Sequence, residues 1–245
     1  MILKYNNMNH KKLNAVTRIF GITVLMVLAS CLNAQNCHVR GRVTAPAIQG
    51  KHVTMMNMNT NRTMGKATIQ DNTFSLDVEV AEPCVAMLIT APQTQMQRDY
   101  YYMKIVAEPG QIYLDLATDS LSGTPLNDLC SRFMRHCDQE VAAINALYGQ
   151  LKEAATVPED VAQELTQKIN RRYDDLMSYV KKTFDENKDN PVGALVLEKY
   201  LELEDTDYEA VLPMLDGAAP VVTTYSQLRN KLAKMEVVSH TAAGK

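Results

Sequence analysis

The sequence has no tryptophan, only four phenylalanines and no Cys-x-x-Cys pair. It also has no basic tract and only one long apolar run. Each absence closes a class of function. Without Cys-x-x-Cys, the usual thioredoxin-type redox pair is missing. Gly-x-Ser-x-Gly, the phosphate-binding loop and His-Glu-x-x-His are absent too, which removes the common hydrolase, nucleotide and zinc-protease signatures. No segment after the N-terminal run reaches about 18 uninterrupted apolar residues, so none reads as a transmembrane helix. The lack of a basic cluster leaves no electrostatic footprint for nucleic acid. A hydrophobic fraction of 46% argues against a disordered chain.

The one apolar run is informative. Lys11, Lys12 and Arg18 precede Ile19–Ala29, 11 apolar and small residues that are too short for a stable span and have the layout of an export signal. The ending Leu28-Ala29-Ser30-Cys31 resembles a bacterial lipoprotein box, in which the thiol of Cys31 is lipidated after cleavage. A second reading cuts after Ala34 and leaves a soluble chain beginning at Gln35; Leu32 suits the −3 position of that cut poorly. Removing residues 1–30 takes away four basic residues and no acidic one, which moves the net charge from −3 to −7. The expected address is the cell envelope, with a membrane anchor on Cys31 facing the periplasm. Residues 32–35 carry no acidic cluster of the kind expected of surface-exported lipoproteins.

From Cys37 to about Thr118 apolar residues recur every second position, as in Val39, Gly41, Val43 and in Phe74, Leu76, Val78, Val80. This pattern predicts half-buried antiparallel strands rather than a parallel sheet. Seven are expected: 37–43, 51–57, 65–70, 73–80, 84–90, 100–107 and 111–117. Asp71-Asn72 and Pro109-Gly110 are expected to make hairpin turns. After Gly123 the period becomes helical, with Leu126, Cys130, Phe133, Cys137, Val141, Ile144, Tyr148 and Leu151 on one stripe. Thr156-Val157-Pro158-Glu159 reads as a capping box for a second helix, and Asn190-Pro191 caps a third. Thr206 opens a fourth that ends near Gly217, and Val221 to Met235 form a fifth. The fold class is therefore α+β: a β-sandwich over 36–122 followed by a five-helix bundle over 123–239.

Few residues offer chemistry. Cys130 and Cys137 lie on the apolar stripe about 10.5 Å apart along the helix, too far to bridge and placed as buried thiols. Cys37 and Cys84 each sit near the start of an expected strand; an exported compartment permits a disulfide between them, and the sequence alone leaves the pairing open. His38, His52, His136 and His240 lack metal-ligand spacing and read as solvated surface. The run Glu202, Glu204, Asp205, Asp207 reads as a solvated turn. Tyr100-Tyr101-Tyr102 reads either as strand packing or as a recognition patch. No catalytic residue, cofactor or metal is expected.

Five segments occur in a particular order: His38-Val39-Arg40-Gly41-Arg42-Val43, Asp71-Asn72-Thr73-Phe74-Ser75-Leu76, Ala107-Glu108-Pro109-Gly110-Gln111-Ile112, Ser122-Gly123-Thr124-Pro125-Leu126-Asn127-Asp128 and Asn187-Lys188-Asp189-Asn190-Pro191-Val192-Gly193-Ala194. Together they resemble the N-terminal module, a domain of unknown function, of Bacteroidetes envelope proteins that end in a TlpA-like thioredoxin domain. The resemblance covers roughly residues 36–245 and implies a small β-sandwich followed by helices. It also implies that residues 240–245 are the start of a linker to a thioredoxin domain whose redox cysteines have no counterpart here.

The expected function is a non-catalytic envelope module, anchored by lipid on Cys31, that positions or recruits a thioredoxin-type partner or binds an envelope ligand. Two rivals stand beside it. One is a fragment of a thiol-disulfide oxidoreductase whose catalytic domain is missing; the other is a structural envelope scaffold.

Overall fold

A computed structural model of the chain describes residues 35–43, 49–90, 101–153 and 158–203, with scattered positions between 211 and 234. Cys31 and the export signal lie outside the described residues. Residues Asn36–Lys245 form one compact unit.

Eight strands come first: β1 (Gln35–Arg42), β2 (His52–Asn57), β3 (Arg62–Thr68), β4 (Thr73–Val80), β5 (Cys84–Thr90), β6 (Tyr102–Ala107), β7 (Gly110–Asp115) and β8 (Ser120–Ser122). They form two four-stranded sheets, in the orders β4-β1-β7-β8 and β3-β2-β5-β6. Val39, Phe74, Leu76, Ile112 and Leu114 from the first sheet meet Val53, Met55, Leu88 and Ile105 from the second in one buried core. Period-two alternation produces this directly, since β4 is buried at every second residue along its length.

Three long helices follow: α1 (Pro125–Glu153), α2 (Glu159–Asn187) and α3 (Pro191–Leu203). Their second core joins Phe133, Cys137, Ile169, Val180, Phe184, Leu195 and Tyr200 to Val85 and Val106 of the β-sheet. The second sheet is thus covered on both faces, by the first sheet and by the helices. Asn190 caps α3, its Oδ1 accepting the Val192 N–H at 2.9 Å, with Pro191 in the first helical position. Gly193 lets the chain turn tightly here, because a Cβ would stand 2.4 Å from the Asn187 carbonyl oxygen.

Several features depart from the pattern expected of the sequence. The described residues hold three long helices, not five. The expected fourth helix falls mostly outside the described residues, and of the fifth only a four-residue segment, α4 (Pro220–Thr223), is bounded. An eighth strand, β8, pairs with β7; at three residues it is too short to show a period. The third strand is Arg62–Thr68 rather than 65–70, because the chain turns at Asn61, which has φ 56°. Thr156 lies outside the described residues, and α2 opens with Pro158 at its cap position and no side-chain cap bond.

The turns divide. Asp71 and Asn72 both take positive φ, 50° and 61°, the signature of a tight hairpin turn. Gln70 and Thr73 bridge across it, and β3 and β4 then go to different sheets. Pro109-Gly110 makes no hairpin: β6 leaves the second sheet at Ala107 and β7 begins in the first at Gly110. β1 and β7 pair in parallel, against the antiparallel expectation. The chain between them runs through the other sheet, which supplies the long connection that a parallel pair needs.

Candidate functional site

β6 is an edge strand of its sheet, and its residues 102, 104 and 106 share one face. Each meets a different environment. At Val106 the edge is closed by Asn127 of α1. The Asn127 Oδ1 accepts the Val106 N–H at 2.9 Å, and its Nδ2 donates to the Val106 carbonyl at 2.7 Å. One side-chain amide therefore takes the place of a neighbouring strand, which also blunts the edge. The same Nδ2 lies 2.8 Å from Thr124 Oγ1 and 3.3 Å from Glu108 Oε1.

Glu108 is buried at 6% exposure, and its Oε1 accepts the backbone N–H groups of Leu126 and Asn127 at 2.9 and 3.1 Å. These are first-turn donors of α1 that the helix cannot satisfy itself, and the carboxylate also suits the positive end of the helix dipole. Gly123 closes the approach to the helix with φ 112°. A Cβ there would meet the Gln111 carbonyl oxygen at 2.3 Å. The start of α1 is thereby fixed to β6 and β7.

Further along β6 the wall becomes polar. Lys104 Nζ lies 2.6 Å from Glu198 Oε1 of α3, with the carboxylate side chain only 8% exposed. Tyr102 stands 58% exposed. Between β6, the β7–β8 turn, α1 and α3 lies a cleft of about 1180 Å³. Tyr101, Tyr102, Met134 and Leu195 supply its apolar surface, while Arg135, Asp138 and Lys199 supply much of its charge. Lys199 bridges Asp138 at 3.2 Å. Large size, aromatic surface and paired charges suit recognition of another molecule.

The four cysteines among the described residues are buried, free thiols. Burial pushes the Cys130 thiol up to about 12 and the Cys137 thiol to about 11, the latter opposed by the nearby Lys199 charge. Such thiols are poor nucleophiles, as their place on the apolar stripe implies. Cys37 and Cys84 lie in the core between the sheets. Burial raises both, Cys84 to about 11 with Cys37 contributing as a neighbour. Asn57 Nδ2 donates to Cys84 Sγ at 3.2 Å.

The remaining candidates disperse. His38 pairs with Asp77 at 2.7 Å on the outer face of the first sheet, and His52 meets Thr68 at 3.2 Å. His136 departs from the solvated expectation, its ring packing edge-on against Tyr179 at 4.2 Å between centroids. No group of three or more potential metal ligands occurs among the described residues. Tyr100, Glu204, Asp205, Asp207 and His240 lie outside the described residues; Glu202 borders the cleft. Sequence reasoning assigned no role to Glu108, Asn127 or Glu198. Glu108 had one legible signal: it is an acidic residue directly following the apolar Ile105-Val106-Ala107.

Residues 37–130 match the family model of a domain of unknown function, DUF4369. The match spans β1 to β8 almost entirely and ends in the second turn of α1, so it includes Glu108, Gly123, Thr124 and Asn127. A comparison with curated proteins finds no match.

Proposed function

We propose that this chain is an exported, lipid-anchored and non-catalytic module of the cell envelope that holds a thioredoxin-type redox protein in the cleft between β6, α1 and α3. The cleft carries this reading. Two pairs of its charges are engaged with one another, Lys104–Glu198 and Lys199–Asp138. Its one cysteine, Cys130, is a buried thiol held at about 12. Tyr102 offers a large, amphipathic and exposed ring at the rim, the residue type that anchors protein interfaces. That arrangement favours binding over turnover.

The choice of partner rests on the ordered segments that resemble thioredoxin-associated modules. Their residues include those that fix α1 to the sheet and α2 to α3, so the likeness is one of architecture. Attachment rests on Leu28-Ala29-Ser30-Cys31. Feeding cells an alkyne fatty acid tests the address: the wild-type chain takes up label and Cys31→Ala does not. An unlabelled mature chain beginning at Gln35 would contradict it. For the cleft, Tyr102→Asp in the full chain is expected to lose at least tenfold of its affinity for a thioredoxin-fold partner while keeping its thermal stability. Equal affinity in both forms would contradict the reading.

A further inference from the structure

We propose that Cys37 and Cys84 close a disulfide that staples the two sheets together where the chain crosses between them. The geometry is set by register. Cys37, near the start of β1, pairs with Gly110, the first residue of β7. Cys84, the first residue of β5, pairs with Ala107, the last residue of β6. Only Glu108 and Pro109 separate Ala107 from Gly110, so the two cysteines flank the two ends of one short crossover.

Both side chains point into the same inter-sheet core, Cys37 at 0% and Cys84 at 7% exposure. Burial raises both thiols, and at Cys37 a hydrogen bond with the Glu108 backbone opposes that rise, which puts Cys37 beside the crossover residue itself. Cys130 and Cys137 sit instead in the helical core, so among the described residues Cys37 and Cys84 are the two cysteines of the inter-sheet core. The bond would close a loop that contains β2, β3 and β4, and so constrains three of the eight strands in the unfolded chain.

The step is a thiol–disulfide exchange with an external disulfide, such as a protein oxidase of the exported compartment or oxidised glutathione. Cys37 and Cys84 give up two protons and two electrons and form one S–S bond. The external disulfide is reduced to two thiols. Because both groups are buried in the folded protein, the exchange belongs to folding, before the core closes over them.

The disulfide does not depend on what the cleft binds, and its test is separate. The full-length chain is unfolded under reducing conditions, refolded in a glutathione redox buffer, quenched in acid, alkylated while denatured and digested without reduction. The expected result is a peptide linking Cys37 to Cys84, with Cys130 and Cys137 carrying the alkyl group. Dithiothreitol is then expected to lower Tm by roughly 5–10 °C in the wild type and to have no such effect on Cys37→Ser or Cys84→Ser. Alkyl groups on both Cys37 and Cys84 in the unreduced sample would overturn the proposal, as would a linkage of either one to another cysteine. The peptide map needs no variant, so a misfolded Cys37→Ser leaves the test intact.

Discussion

Asn127 serves Val106 as a strand would: its side-chain amide takes the N–H at 2.9 Å and gives a hydrogen to the carbonyl at 2.7 Å. Asn127 is 0% exposed, so water cannot replace either bond. This contact joins the first turn of α1 to the edge of the second sheet, and with Glu108 it fixes where the helical layer begins. The cleft opens beside that junction.

Asn127→Ala leaves both backbone groups of Val106 unpaired in a dry site. The cost of such a change is about 2–4 kcal/mol, counting two orphaned groups and a small cavity. Urea unfolding of the wild type and variant measures it. A difference under about 0.5 kcal/mol would show that the amide is dispensable.

Two glycines respond in opposite directions to alanine. At Gly123 the backbone has φ 112°, and a Cβ collides with the Gln111 carbonyl oxygen. Gly123→Ala is therefore expected to lower stability by about 1–3 kcal/mol. Gly149 sits within α1, and an added Cβ there would meet nothing within 4 Å. Gly149→Ala is expected to raise stability by about 0.5–1 kcal/mol through helix propensity. Thermal melts of the two single variants give the comparison, and a shift of the same sign in both would contradict it.

Lys104 and Glu198 form a partly buried pair at 2.6 Å. Glu198→Gln is expected to cost roughly 1–3 kcal/mol, since the ammonium loses the charge of this carboxylate in a partly buried wall. The double variant Lys104→Met/Glu198→Leu restores a matched, apolar contact and should lie within about 1 kcal/mol of wild type. A double-mutant cycle by urea unfolding decides this, and purely additive losses would contradict it.

Alkaline pH reports on the buried thiols. The ordinary thiol value is 9.0, and burial holds Cys130 near 12 and Cys137 near 11. The fold therefore favours the neutral thiol, and on raising the pH the unfolded chain loses its thiol protons first. This contribution changes the stability curve between pH 9 and 11–12: the unfolded state is favoured progressively as its thiols ionise while the folded ones stay protonated. Cys130→Ala should flatten the fall between pH 9 and 11 relative to wild type, measured by urea unfolding at each pH. Parallel curves would show that Cys130 ionises as an exposed thiol does.

Local pattern explains what could be read from the chain. Alternation in Phe74-Ser75-Leu76-Asp77-Val78 revealed β4, and Asp71-Asn72 revealed its turn, because both signals lie within a few residues. The three-layer arrangement had a signal too: Cys84-Val85-Ala86-Met87-Leu88-Ile89 is apolar without alternation, as expected of a strand covered on both faces. The parallel pairing of β1 with β7 was hidden, because an exposed face gives the same alternation whichever way the neighbour runs. The site was hidden for a related reason. Val106 and Asn127 are 21 residues apart, and Lys104 and Glu198 are 94 apart. Tyr101, Tyr102, Cys130 and Glu202 stood out in the sequence and all line the cleft, but as strand aromatics, a buried thiol and a solvated turn they did not point to one another.

Site-specific photo-crosslinking from the cleft puts the proposed partner to the test. Benzoylphenylalanine replaces Tyr102 in the full chain expressed in its own cells, and Lys168, 53% exposed at its side chain on α2, is the control position. Irradiation is expected to trap a thioredoxin-fold protein from position 102 and none from position 168. Equal trapping at the two positions, or adducts at 102 that contain no thioredoxin-fold protein, would contradict the proposal that this cleft holds such a partner.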